Sequence, residues 1–296
     1  MSIPESILVL GAGELGWAVL ESLATHPARN GAAIAVLKRG PHASLNPALD
    51  KLGIRAQMGD VVAMDVESLA EAFRRYEVVI NCNGMTLPPE TQIKLAEAAI
   101  RAGVKRYFPW QFGLSYDEIG RQSSQNLFDA QLDVRDLLRG QSTMAWVIVS
   151  TGIFTSFLFE PSFGIVDRDR NTITALGSWD NRITVTSPVD IGRVVAELVL
   201  ACPEIDGVVY TAGDTISMEQ LADLVDRILG RSVERKIATV DELEAELKAE
   251  PDNGSRKYRA VFAAGIGTAW EKKTTFSALR NMPMQTVEQW AREHLV

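Results

Sequence analysis

Cysteine is nearly absent from this chain: Cys82 and Cys202 are the only two in 296 residues. Each sits in an apolar stretch, which reads as two buried thiols rather than a disulfide framework or a metal site. Histidine is scarce too, and His26, His42 and His294 show no metal-ligand spacing, so no metal is expected. No apolar run approaches the length of a membrane span. The stretch Met1–Glu5 has no basic residue ahead of the short apolar run Ile7–Leu10, so no secretory signal is read there and a cytoplasmic location is expected. Positive charge is outweighed, giving a formal net charge of −8. That balance disfavours general nucleic-acid binding, while leaving room for a local basic pocket. Internal repeats and low-complexity segments are missing as well.

What is present is alternation. Apolar runs at Ile7–Leu10, Ile34–Leu37, Ile54–Met58, Val78–Cys82, Tyr107–Phe108 and Ala145–Val149 read as strands. Helical patterns lie between them at Glu14–Thr25, Asp65–Tyr76, Glu90–Ala102 and Gln125–Arg139. Strand–helix alternation of this kind implies an α/β fold, a doubly wound parallel sheet of the Rossmann type. After Val149 the regularity weakens, with phenylalanines at 154, 157, 159 and 163. A helix is expected over Pro188–Ala201, a strand over Val208–Thr211, and a helix capped by Ser217 with Gln220 three residues on. A further helix near Asp241–Ala249 ends before Pro251, and Pro251–Lys257 reads as an exposed loop. The expected division is a dinucleotide-binding domain over 1–152, rejoined by 185–215, and a smaller C-terminal substrate lobe over 153–184 and 216–296.

The chemistry-bearing motif is Gly11-Ala12-Gly13-Glu14-Leu15-Gly16, a G-x-G-x-x-G placed directly after a strand and opening a helix. Gly11 permits the tight turn, Gly13 lets backbone approach a pyrophosphate, and Gly16 allows close helix–strand packing. The helix N-terminus adds free N–H groups and the positive end of its dipole. The second strand runs into Lys38-Arg39, with no acidic residue before Asp50. A carboxylate there would accept from the ribose hydroxyl of NAD; a guanidinium and an ammonium suit the 2′-phosphate of NADP(H). The alternative is two solvated basic residues in a loop.

Ligands of parallel sheets sit beyond the C-terminal ends of the strands. The residues there are Asn83-Gly84-Met85-Thr86 after the fourth strand, Pro109-Trp110-Gln111-Phe112-Gly113 after the fifth, and Ser150–Phe154 after the sixth. Trp110, with Gln111 and Phe112, offers a surface for an aromatic substrate; a core or lid tryptophan is the equal alternative. Phe154 is placed to pack on a nicotinamide, or to be a plain core residue. Tyr116 is a candidate acid in a loop.

Beyond these features the chain resembles the NmrA-like and isoflavone-reductase-like branch of the atypical short-chain dehydrogenases. The resemblance rests on the glycine loop, Gly59-Asp60, Val104-Lys105-Arg106-Tyr107-Phe108-Pro109, Phe112-Gly113, Val149-Ser150-Thr151-Gly152-Ile153-Phe154, Gly177-Ser178-Trp179-Asp180 and Val189-Asp190-Ile191-Gly192. It implies that Thr151, Gly152 and Phe154 lie beside the nicotinamide, and that a small aromatic molecule is the substrate; Asn83, Gly84 and Met85, after the fourth strand, are expected along the cofactor. The family holds plant phenylpropanoid and lignan reductases, bacterial aromatic-alcohol and quinone reductases, and regulators that bind NADP(H) without turnover. Both an NADPH-dependent reductase and an NADP(H)-sensing regulator therefore follow, as a monomer or homodimer without nucleic-acid or membrane partners. One departure stands out. The plant reductases carry a lysine at the end of a Phe-x-x-Lys pattern, and the matching stretch here is Phe128-Asp129-Ala130-Gln131. Gln131 hydrogen-bonds but exchanges no proton at neutral pH. The Tyr-x-x-x-Lys pair of standard short-chain dehydrogenases is missing too, since Gly120 stands four residues after Tyr116.

The basic pair makes a direct prediction. Wild-type protein binds NADPH well ahead of NADH, and Arg39→Ala narrows the gap. Calorimetric titration of both cofactors checks it; equal wild-type affinities would remove the assignment.

Overall fold

The computed structural model describes residues 3–40, 47–84, 87–167 and 171–295. In chain order the elements begin β1 (Ser6–Leu10), α1 (Glu14–Thr25), β2 (Ala33–Lys38), α2 (Pro47–Lys51), β3 (Ile54–Met58) and α3 (Val66–Phe73). Next come β4 (Val78–Asn81), α4 (Pro89–Ala102), β5 (Arg106–Phe108), α5 (Tyr116–Ile119), α6 (Asp129–Arg139) and β6 (Ala145–Ser150). The short strands β7 (Ile153–Phe154), β8 (Val166–Asp167), β9 (Thr172–Leu176) and β10 (Arg182–Thr186) follow. The chain continues through α7 (Pro188–Leu200), β11 (Gly207–Tyr210), β12 (Asp214–Ser217), α8 (Met218–Leu229) and β13 (Glu234–Ala238). It ends with α9 (Val240–Ala249), α10 (Gly254–Ala264), α11 (Phe276–Leu279) and α12 (Val287–His294).

Two compact units form. The first comprises Met1–Phe112, Ala130–Val149 and Pro188–Val209; the second comprises Gly113–Asp129, Ser150–Ser187 and Tyr210–Val296. The first unit holds a seven-stranded sheet in the order β11-β6-β5-β4-β1-β2-β3. Its pairs from β3 across to β6 are parallel. This is the doubly wound α/β sheet that the alternation predicts. Continuous apolar runs suit it because a parallel sheet is covered on both faces. Leu8, Leu10, Ala35, Leu37 and Val79 share one face with Leu69, Phe73, Leu95, Val134 and Leu138 from α3, α4 and α6. Ile7 and Val9, equally buried, alternate to the opposite face. On that side α1 meets β1 and β2 and packs along α7.

The second unit carries two three-stranded sheets, β12-β10-β7 and β13-β9-β8. The capping box expected at Ser217 is formed, with Ser217 accepting from Gln220 N and Gln220 reaching back to the Ser217 N–H. Two expectations need correction here. The helix read from Gln125 begins only at Asp129. The polar run before it turns instead, with Gln122, Ser124, Gln125 and Asn126 all at positive φ, a conformation that Asn tolerates best. The loop read over Pro251–Lys257 is short, because the Asn253 side chain accepts from Arg256 N and starts α10 at Gly254.

Among the described residues no helix is long and apolar enough to cross a membrane. Both cysteines are free and buried, and burial pushes the Cys82 thiol far above its usual range. Arg106 is nearly wholly buried. It donates to Leu198 O at 2.6 Å, and burial, partly offset by Asp206 and Glu204, draws its pKa down to about 10.

The α1–α7 crossing is close enough to require a glycine. A Cβ at Gly192 would lie 2.4 Å from the Ala18 carbonyl oxygen. Replacing a mid-helix glycine by alanine gains roughly 0.5–1 kcal/mol of propensity, whereas overpacking costs about 1–3 kcal/mol. The clash is with backbone and wins, so Gly192→Ala lowers the melting temperature. Thermal denaturation checks it, and an unchanged or raised value contradicts the close crossing.

Candidate functional site

The glycine loop joins β1 to α1 at the C-terminal edge of the first unit's sheet. Gly11 has φ +90°, a conformation open to glycine, and its N–H donates to Leu37 O at 2.8 Å, pinning the turn to the end of β2. A Cβ there would fall 2.7 Å from Asn83 Oδ1. A Cβ on Gly16 would lie 2.3 Å from the Gly11 carbonyl oxygen, so α1 rests directly on the turn. Gly13 differs: nothing comes within 4 Å of its Cβ position. It caps α1 with no side-chain acceptor, which leaves the helix's first N–H groups available. Ala12, Gly13 and Glu14 are exposed, while the Leu15 side chain is buried in the core and only its backbone can serve the loop. A diphosphate fits this open, N–H-lined cradle.

Lys38 ends β2 half-buried, and Arg39 is exposed beside it. Neither enters an ion pair among the described residues. Gly59 N donates to Lys38 O at 3.1 Å, and a Cβ on Gly59 would sit 2.7 Å from Leu37 Cδ1. The ends of β2 and β3 are thus drawn together. Asp60 Oδ1 accepts from Val62 N at 2.9 Å and shapes the next turn. Exposed Met58 and Val62 flank it.

The β4 edge is held by side-chain amides, which the sequence did not single out. Buried Asn81 donates through Nδ2 to Gln92 Oε1 at 2.8 Å and accepts from Asn83 N at 3.0 Å. Gln92, on α4, donates to Asn83 O at 3.2 Å. Asn83 and Gly84 are therefore fixed between the Gly11 turn and Trp110, whose ring lies 3.5 Å from a Cβ position on Gly84. Met85 falls outside the described residues. The one signal for these partners is polarity where the pattern expects an apolar residue: Asn81 inside a strand run, Gln92 on the buried face of a helix.

After β5, Trp110 is half-buried and meets Phe112 edge to face, with centroids 5.6 Å apart. Gln111, expected with Trp110 on a substrate-facing surface, is instead wholly buried with both ends of its amide engaged. Its Oε1 accepts from Arg135 Nε at 2.7 Å and its Nε2 donates to Gln131 O at 2.8 Å. Gln131 is buried, 3% exposed, and its Oε1 has no hydrogen-bond partner among the described residues. These residues all belong to the first unit.

The second unit holds the others. Thr151 N and Gly152 N donate to Gly113 O at 2.9 and 3.0 Å. Gly152 has φ +74°, and a Cβ there would lie 1.9 Å from Thr184 O. Phe154 is half-buried and leads a chain of edge-to-face rings through Phe157, Phe163 and Phe262. Tyr116 opens α5 and is buried rather than pointing outward from a loop; it stacks on Phe128 at 4.5 Å, its hydroxyl 2.1 Å from a Cβ position on Gly113. Phe128 in turn meets Tyr258, whose phenol burial pushes up to about 12. A separate cleft of about 800 Å³, lined by Ile119, Leu247, Val261 and Ile266 among others, contains none of the sequence-selected residues.

The model of the NmrA-like family matches residues 4–264. This chain belongs to the NmrA-like family. An NmrA-like family domain-containing oxidoreductase of Gibberella moniliformis is 44% identical over 301 residues, with 98% of each chain covered. A crystal structure of isoflavone reductase superposes with a TM-score of 0.78 at 18% identity, covering 99% of both chains. The leucoanthocyanidin reductase–NADPH complex from Vitis vinifera gives 0.76 at 18% identity, over 98% of this NmrA-like chain and 99% of the other.

The glycines separate folding from binding. Gly13→Val meets open space, so it keeps the melting temperature while abolishing dinucleotide affinity. Gly16→Val drives a side chain into backbone and lowers the melting temperature. Calorimetry and thermal denaturation on both variants check the pair; undiminished affinity in Gly13→Val would remove the loop from the site.

Proposed function

We propose that this chain is an NADPH-dependent reductase of the atypical short-chain dehydrogenase type, acting on an aromatic small molecule that is phenolic, enone or quinone-like. The observation that carries the reading is the Gly13 cradle, open to 4 Å and served by an uncapped helix N-terminus, beside Lys38-Arg39 at the end of β2. The relatives' names and the NADPH held by the leucoanthocyanidin reductase complex support the cofactor and the reaction type.

Bound NADPH would supply the hydride. On this reading the N–H groups of Gly13, Glu14, Leu15 and Gly16 hold the diphosphate, and Lys38 and Arg39 hold the 2′-phosphate. Asn83 and Gly84, fixed by Asn81 and Gln92, line the cofactor. The Thr151-Gly152 turn and Phe154 serve the nicotinamide, and Trp110 with Phe112 lines the acceptor. Residues 153–184 and 216–296 form the substrate lobe. Gln131 presents a carbonyl oxygen that has no hydrogen-bond partner among the described residues and so suits a hydroxyl or amide donor. It offers no proton, and Tyr116 is stacked in the interior. The final proton then comes from water or another weak donor, which suits quinone-like acceptors.

That same shortage of a placed acid favours the second reading, a regulator that binds NADP(H) without turnover. NADPH oxidation followed with phenolic, enone and quinone acceptors decides between them: turnover is expected, and tight NADP⁺ binding with no turnover of any acceptor selects the regulator. In the reductase, Trp110→Ala raises KM for the aromatic acceptor and leaves NADPH affinity unchanged. A fall in melting temperature worth about 3–5 kcal/mol would instead make Trp110 a core residue. Gln131→Ala slows turnover about tenfold at most, the scale of one lost hydrogen bond. No change in Gln131→Ala would remove it from the site.

A further inference from the structure

We propose that Gln111 is a positioning residue that ties the loop carrying Trp110 to the helix carrying Gln131, with Arg135 fixing the direction in which its amide points. This rests on the reductase reading for its kinetic consequence, though not for its structural one.

Gln111 and Arg135 are both wholly buried. Arg135 stands four residues after Gln131 on α6, on the same helix face. A guanidinium only donates, so the group at 2.7 Å from Arg135 Nε must be the carbonyl oxygen of Gln111. A backbone carbonyl only accepts, so the group at 2.8 Å from Gln131 O must be the amide nitrogen. The two partners demand opposite ends of one planar group. The amide therefore has a single orientation, and the spacing between the Pro109–Phe112 loop and the first turn of α6 is set by its length. Methionine or leucine would meet neither demand. An ionised glutamate would keep Arg135 and lose the bond to Gln131 O; a lysine would do the reverse.

The loop splits its labour by residue. Gln111 faces inward and anchors, while its neighbour Trp110 is half-buried, braced by Phe112 and Gly84. Rotating the anchor moves the indole and the Gln131 turn relative to each other. The glycine loop and Lys38-Arg39 lie on other strands of the sheet and have no part in the link. Gln111 should therefore control the acceptor side of the reaction and not cofactor affinity, acting through Trp110 and Gln131 rather than on substrate.

The test uses Gln111→Met, Gln111→Glu and Arg135→Met in the full chain, with amide hydrogen exchange, calorimetry with NADPH and steady-state kinetics. In Gln111→Met, exchange should rise together in 110–112 and 129–135 and stay unchanged in 11–16. NADPH affinity should stay within about twofold, and kcat with an aromatic acceptor should fall about tenfold, the scale of a lost hydrogen bond. Gln111→Glu keeps the buried guanidinium's acceptor and so remains measurable if the methionine variant is poorly folded. It should show the same pattern at neutral pH, with a smaller rise at 129–135. The changes in Gln111→Met and Arg135→Met should combine non-additively, since they remove the same bond. Exchange that rises in one segment alone, spreads equally to 11–16, or leaves kcat at the wild-type value overturns the proposal. If the wild type turns over no acceptor, the reductase reading fails by itself, and the exchange and coupling results still decide whether Gln111 ties the two segments.

Discussion

The seat of helix α1 on the turn that starts it is the constraint from which the site follows. With Gly16 lying on the Gly11 carbonyl, there is no room for a side chain between helix and turn. That contact brings the N-terminus of α1 directly over the end of β1 and aims its free N–H groups past Gly13 into open space. The bond from Gly11 N to Leu37 O then ties the same turn to the end of β2, where Lys38 and Arg39 follow. The open glycine turn and the basic pair are therefore parts of one corner. Loosening the helix by one methyl group would displace both.

Around that corner the polar fastenings are neutral amides. Asn81, Asn83 and Gln92 hold the loop after β4; Gln111 holds the loop after β5 to α6. A buried amide carries both donor and acceptor, so one side chain can bind an N–H and a carbonyl at once without the desolvation cost of a charge. Satisfied networks of this kind rigidify the loops they join. Their members do not titrate near neutrality, so the geometry of the strand ends does not change with pH in that range. Arg135, donating to Gln111, and Asp60, accepting from Val62 N, are charged exceptions.

The periodicity of the chain carried the sheet well. Glu14–Thr25 and Ile54–Met58 were legible to the residue: the glycine loop ends β1 and opens the helix, and Gly53 and Gly59 bracket the edge strand β3. The start of α6 was not legible: residues 125–128 have helical composition, and the left-handed turns there are set by tertiary packing of Phe128 on Tyr116. Asn253 closed the loop after α9 earlier than its Pro-Asp-Asn-Gly composition suggested. At the site, the glycines were legible because each needs a conformation or an approach that only glycine allows. Gln92 and Arg135 were not, since a polar residue on a buried helix face shows its purpose only when its partner, 11 residues away for Gln92 and Asn81 and 24 for Arg135 and Gln111, is brought beside it. Tyr116 misled for the opposite reason: a tyrosine near a strand end reads as an acid, and here its ring fills the space left open by Gly113.

The exchange of a lysine for Gln131 bears on which acceptors the proposed reductase can serve. Hydride addition to an isolated carbonyl makes an alkoxide, a base strong enough to need a proton delivered as it forms, and a positioned acid is worth ~10²–10⁴-fold in such a step. Hydride addition to a quinone makes a phenolate-like anion, which the ring stabilises and water can protonate afterwards. Gln131 brings an amide to this position, with its carbonyl oxygen buried and without a partner. It can hold a donor in place and cannot protonate an alkoxide. For the proposed reductase, an acceptor whose own π-system spreads the new charge asks for the first of these and not the second, which would narrow its substrates toward quinone-like rings.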